Sequence, residues 1–171
     1  MKWIVIAVVV LGALVALVAL IGSRLPQSHH ASVEQIVTAP PEAVWTTITD
    51  VEAFPSWRAD VKRVQRLPDR EGRPAWIEEG RSGKITLAVE RLEPPRLLVG
   101  RIADPELPFG GTWTYEITPV PGGSRLRITE DGEIYNPIFR FMARFLFGYE
   151  GTIRSYTAAL QKRLARPAAR S

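Results

Sequence analysis

Apolar residues recur with three different periods along this chain, and each period predicts a different kind of element. From Trp3 to Ile21 they do not alternate at all: 19 uncharged, mostly apolar residues follow one another. As a helix this run spans roughly 28 Å at ~1.5 Å per residue, close to the ~30 Å hydrocarbon thickness of a bilayer. Trp3 suits one membrane interface and Arg24 lies just beyond the other.

Two-residue alternation takes over after Ala31. Ser32 to Ala39 is rich in β-branched residues and predicts a strand, stopped by Pro40-Pro41. Pro41 suits an early helical position, and Ala43, Val44, Trp45 and Ile48 make a short amphipathic helix to Asp50. Asp50 suits the cap of a second short helix, Val51 to Trp57, distorted by Pro55. Six strands are then predicted: Asp60–Leu67, Ala75–Gly80, Lys84–Leu92, Arg96–Ala103, Gly111–Pro119 and Ser124–Glu133. Turn formers separate them at Asp69–Arg73, Ser82-Gly83, Pro94-Pro95, Asp104-Pro105 and Pro121-Gly122-Gly123. Links this short indicate an antiparallel meander.

Beyond Asn136 the period becomes helical. Ile138, Met142, Phe145, Leu146, Tyr149, Ile153, Tyr156, Leu160 and Leu164 recur at three- and four-residue steps, one stripe of a single long helix. Asn136 suits its N-cap and Pro137 its first turn. Gly148 and Gly151 weaken it and mark a bend or a close approach to the sheet.

Length fits one domain with an appendage. The expected division is a transmembrane anchor at 1–23, a polar linker at 24–31, a folded domain at 32–166 and a tail at 167–171. A cleaved secretory signal is the competing reading of the first segment. It needs a shorter apolar region and a small-x-small site, and Val18 to Ser23 is a poor one. Lys2 and Arg24 flank the span almost symmetrically, so orientation is only a lean, with the domain outside the cytoplasm.

Charge narrows the partners. From Ala31 onward 20 basic and 18 acidic residues nearly balance, which argues against nucleic acid, as does the lack of basic-aromatic interleaving. After Pro137, Glu150 is the only acid beside Arg140, Arg144, Arg154, Lys162, Arg163, Arg166 and Arg170. This fits a solvated helix face complementing the dipole or contact with anionic headgroups.

Catalytic equipment is sparse. The chain has no Cys, so a thiolate nucleophile, a disulfide and a Cys metal site are excluded. No Gly-rich phosphate loop precedes a helix, and no cofactor or metal is expected. Both histidines, His29 and His30, fall in the expected linker, which removes a Ser-His-Asp triad from the domain. Glu78, Glu130, Tyr115, Tyr135 and Arg101 remain for acid-base work, with Glu78, Glu130 and Tyr115 foremost. A carboxyl in an apolar pocket has a raised pKa and can serve as general acid or base. The loop Pro105–Gly111 carries apolar residues suited to gating or to packing inward.

Three segments resemble a known family. Ile36-Val37-Thr38-Ala39-Pro40-Pro41-Glu42-Ala43-Val44-Trp45 is similar to the strand-to-helix start of the START/Bet v 1-like (SRPBCC) superfamily, which includes polyketide cyclase/dehydrase-like and coenzyme-Q-binding members. Thr49–Trp57 resembles its second-helix segment, and Gly123–Thr129 its last strand. The likeness covers Ser32 to about Ala165. It implies an α+β helix-grip fold: a curved antiparallel sheet of about seven strands, two short helices and a long C-terminal helix, here preceded by one transmembrane helix. It also implies an apolar cavity between sheet and helix. Alternation then places Trp76, Leu87, Val89, Trp113, Tyr115, Ile128, Glu130, Met142, Phe145 and Tyr149 on the cavity wall. The functions implied are binding or transfer of a hydrophobic small molecule (lipid, isoprenoid or quinone class) beside a lipid bilayer, cyclase/dehydrase catalysis through Glu or Tyr, or a filled core serving only interaction. Such motifs carry fold more strongly than function.

Overall fold

Each strand's alternation is converted into a face by its register with the next. The computed structural model describes residues 1–81 and 83–165. In chain order the elements are α1 (Lys2–Arg24), β1 (Ser28–Val37), α2 (Pro41–Thr49), a 3₁₀ turn (Val51–Ser56), β2 (Val61–Arg70), β3 (Arg73–Gly80), β4 (Gly83–Glu93), β5 (Leu97–Ile102), β6 (Phe109–Val120) and β7 (Gly123–Ile134). Then come α3 (Pro137–Met142), a wider π-helical turn (Ala143–Phe147) and α4 (Gly151–Leu164). The strands form one antiparallel sheet in the order β1-β7-β6-β5-β4-β3-β2.

Register resolves the faces. Trp113 lies opposite Glu130, Tyr115 opposite Ile128 and Ile117 opposite Leu126. On β5 the alternation is ambiguous in sequence, but Leu98 pairs with Tyr115 and Gly100 with Trp113, so Leu98 and Gly100 face inward. Leu126 and Ile128 are fully buried, as are Ile153 and Leu160 of α4. Burying each such side chain contributes roughly 1.5–3 kcal/mol. Helix α4 packs along β1 and against α2, and so covers one side of the inner face.

Two expectations need correction. The strand expected at Ser32 begins at Ser28, so the linker shrinks to Leu25–Gln27, and His29 and His30 belong to the sheet. The reason is pairing: Ser28 through Ala31 find partners in Glu133 through Glu130 of β7. The single long helix is two helices. Gly148 adopts φ +71°, which leaves the right-handed helical region and lets the chain turn between α3 and α4. Asn136 caps α3 as expected, its side-chain oxygen accepting from the Ile138 and Phe139 amides at 2.9 and 3.2 Å. The turn residue Ser82, the domain boundary at 166 and the tail 167–171 lie outside the described residues.

Helix α1 is long and apolar enough to cross a membrane, and at the chain's N-terminus it fits an anchor or a signal sequence. It is joined to α3 rather than free. Gly22 is its one buried residue, and a Cβ there would lie 1.8 Å from the Pro137 carbonyl oxygen. Arg140 of α3, itself buried, donates from Nη1 to the Leu25 carbonyl at 2.8 Å.

Leu126→Ala should lower stability by about 2–5 kcal/mol, since Leu126 is fully buried, while exposed Leu92→Ala should cost under about 0.5 kcal/mol. Urea unfolding of the detergent-solubilised protein checks the contrast; equal losses would mean that Leu126 is not core.

Candidate functional site

The inner face carries aromatic rings where a second helix would otherwise be needed. Trp113 and Tyr115 of β6 meet Tyr156 of α4 with ring centroids 5.8 and 5.7 Å away, and Trp57 meets it edge-on at 5.5 Å. Phe54 packs edge-on against Trp57 at 5.5 Å. These contacts stabilise beyond the area they bury. Leu87, Trp113, Tyr115, Trp57 and Tyr149 pack on the core but remain only partly buried. On the same inner face Gly100 leaves a gap, the inner cleft, where an added Cβ would meet no described atom within 4 Å.

A polar centre is built into one wall. Arg58 follows the 3₁₀ turn that seats Phe54, and its guanidinium lies 5.0 Å from the Phe54 ring centre and 5.3 Å from that of Tyr156. It donates to Glu78 Oε1 at 3.0 Å and to Asp60 Oδ2 at 2.6 Å. Trp76 Nε1 donates to the same Glu78 oxygen at 3.1 Å. Burial penalises the Arg58 charge, but Glu78 and Asp60 outweigh this and hold its pKa above the ordinary value. Burial would likewise raise Asp60, and the Arg58 guanidinium reverses the direction. The tyrosine hydroxyls of Tyr115 and Tyr156 face each other, and burial pushes both pKa values up. At neutral pH the centre therefore offers a fixed cation and two neutral hydroxyls.

The second centre lies where β1 begins. The imidazole of His29 stacks on Tyr149, with centroids 4.3 Å apart and planes at 15°. Its other side lies against Gly132, where a Cβ would stand 2.3 Å from the ring. His29 Nε2 is 3.6 Å from Glu130 Oε1, and the two side chains are 10% and 20% exposed. Burial raises the Glu130 pKa, an effect that His29 and the Trp113 indole only partly offset. Next to it, exposed His30 pairs with Asp131 at 2.7 Å.

Of the residues expected on the cavity wall, Trp76, Leu87, Val89, Trp113, Tyr115, Ile128, Glu130 and Tyr149 come together on this inner side. Met142 and Phe145 do not. They precede the Gly148 break, and Phe145 is 56% exposed and packs on Phe141. Tyr135 and Arg101 also stand outside: Tyr135 donates to Glu133 at 2.7 Å on the surface, and Arg101 pairs with Glu90. His29 corrects the expectation of two solvated linker histidines. Continuing the β1 alternation backwards through Val33 and Ala31 reaches it. Arg58 was signalled only by its place after the aromatic Phe54-Pro55-Ser56-Trp57.

Two open surface hollows, of about 380 and 420 Å³, lie at opposite ends of β1 and β7. One is bordered by Pro40 and Gly122, the other by His30 and Asp131. Neither holds the aromatic rings or Arg58, so the inner cleft is the better candidate site.

Residues 28–170 match the family model described as polyketide cyclase / dehydrase and lipid transport. A START superfamily protein from Mycobacterium smegmatis has a similar structure, with TM-score 0.66 and 21% identity over 80% of this chain and 97% of that one. The Zhui aromatase/cyclase from Streptomyces sp. R1128 is 14% identical at TM-score 0.66, covering 84% of this chain and 99% of its own. Norcoclaurine synthase from Thalictrum flavum is 10% identical at TM-score 0.62, covering 80% and 94%. These likenesses show the helix-grip fold. Among curated proteins no sequence matches.

Arg58→Met should destabilise the domain by about 3–5 kcal/mol, because it leaves Glu78 buried without its cation, and adding Glu78→Gln should recover most of that loss. Additive losses in urea unfolding would refute the pairing. Glu130 makes the opposite kind of prediction. Its pKa is raised in the fold, so its stabilising contribution is complete below its ordinary value of 4.5. That contribution is lost as pH rises through the higher folded value. Glu130→Gln should therefore gain stability relative to the parent as pH increases from about 4 towards 7, and a pH-independent difference would refute the assignment.

Proposed function

The chain belongs to the polyketide cyclase / dehydrase and lipid transport family, and on that premise we propose that it binds or transfers a hydrophobic small molecule in the inner cleft while α1 tethers it to a membrane. The ligand class is a lipid, isoprenoid or quinone. The observation that carries the reading is the open space over Gly100 in the middle of an otherwise apolar and aromatic inner face. Ligand sites are commonly concave and apolar with few polar groups. Two donors beside the cleft, Arg58 Nε and Trp57 Nε1, are buried without a hydrogen-bond partner among the described residues. Such orphaned donors suit a carbonyl or hydroxyl head group, since buried polar groups are nearly always paired.

A second reading is a cyclase/dehydrase-type enzyme. It is favoured by the His29–Glu130 pair, in which a carboxyl with a raised pKa stands beside an imidazole. Such a pair can exchange a proton with an enolisable substrate.

Native mass spectrometry of the full chain extracted in detergent tests the binding reading. The parent should carry a copurifying apolar molecule, and Gly100→Phe, which fills the open space, should lose at least tenfold of it with the fold intact by circular dichroism. Equal occupancy in both would place the ligand elsewhere, and a parent free of enriched lipid would refute the reading. For the enzymatic reading, Glu130→Gln and His29→Gln should each abolish any cyclisation found in a polyketide-type substrate screen.

A further inference from the structure

Between the sheet and α4 the chain makes an excursion that the cleft does not use. After β7, α3 packs on α1, the turn 143–147 follows α3, and the chain turns back at Gly148. Their outer side is unusually apolar for a surface: Phe139, Phe145, Leu146 and Phe147 are 49, 56, 62 and 69% exposed. Among the described residues nothing covers them, and solvation of so apolar a patch is unfavourable.

What lies beside this patch is fixed by how α3 sits on α1. Val18, Ala19, Gly22 and Leu25 are the shielded residues at the end of α1, with the Pro137 carbonyl against Gly22 and Arg140 bonded to Leu25. Val18 precedes Ile21, the last residue of the apolar run, by three residues, or about 4.5 Å. Helix α3 therefore lies at the height where the α1 span ends. Amphipathic segments seated at a bilayer surface bury their apolar side about 5–10 Å deep, which is this height. Charge agrees: Arg24 and Arg144 are exposed on this segment and its neighbour, and residues 134–149 contain no acid. Aromatic residues and cations together suit the boundary between headgroups and acyl chains.

We propose that residues 137–147 form a membrane-seated foot, with Phe145, Leu146 and Phe147 inserted into the acyl-headgroup boundary of the bilayer beside α1. This rests on the reading of α1 as a tether. The foot ends at the Gly148 turn, directly before Tyr149, whose ring covers His29. It holds the His29–Glu130 end of the domain against the lipid surface, so that an apolar ligand leaving the bilayer meets the domain at that end.

The chain has no Cys, which allows single labelled sites. Full-length Phe147→Cys, Leu146→Cys, Leu11→Cys and Thr118→Cys proteins, each carrying an environment-sensitive fluorophore, are placed in nanodiscs of phosphatidylcholine and phosphatidylglycerol. Thr118 is exposed on β6 near the far end of the sheet. The expected result is that Leu11 loses most of its emission to lipids spin-labelled at the acyl terminus. The Phe147 and Leu146 labels should lose theirs to lipids labelled near the headgroup, and Thr118 only to iodide. If the Leu11 label is quenched while those at Phe147 and Leu146 behave like Thr118, the foot is overturned and the tether stands. Shielding of Phe147 from iodide without quenching by either lipid would mean that a protein surface covers the patch, which also overturns it. A Leu11 label that no lipid reaches would remove the tether, and the foot with it.

Discussion

Seven strands at about 4.8 Å spacing make a sheet about 29 Å across, whereas one helix with its side chains is about 10 Å wide. That mismatch governs this domain. Among the described residues α4 is the only long helix on the inner face, and it packs on the β1 side. The remaining strands must cover themselves by curvature and by large side chains. Trp57, Trp113, Tyr115 and Tyr156 supply that cover as one edge-to-face cluster, and where the rings stop the face opens over Gly100. The cleft is thus a consequence of covering a wide sheet with a narrow helix.

The same geometry explains where polar groups survive inside. A buried cation is tolerated only with partners close enough to offset its lost hydration. Arg58 has two carboxylates and two aromatic faces. His29 and Glu130 meet that requirement less fully, being farther apart and closer to the rim. The Arg58 centre is accordingly the more fully paired of the two.

Close to where β1 begins, Gly22 and Arg140 join the apolar helix to α3. Only Leu25 to Gln27 separate α1 from β1. The last turns of α1 are therefore packed against α3.

Periodicity carried a large part of this structure. The uninterrupted Trp3–Ile21 run, the alternation of Trp113-Thr114-Tyr115 and Leu126-Arg127-Ile128, and the Asn136-Pro137 cap each express a local geometric rule, and each element formed where its pattern lies. Side-chain direction within a strand is a two-residue matter, so the inward set from Trp76 to Glu130 was also legible. Interactions between residues far apart in the chain were not. His29 looked like linker because its strand partner Gly132 lies 103 residues away, and pairing, rather than composition, made it β1. The apolar stripe from Ile138 to Leu164 has one period but several settings: α3 packs on α1, Phe145 and Leu146 stay exposed, and α4 packs on the sheet beyond the backbone rotation at Gly148. Arg58 belongs to the site only because β3 brings Glu78 and Trp76 to it. Hydrophobic pattern specifies the elements and their faces through local sterics; which charged groups meet, and which apolar face is left to the surroundings, depends on long-range packing that a one-dimensional pattern does not encode.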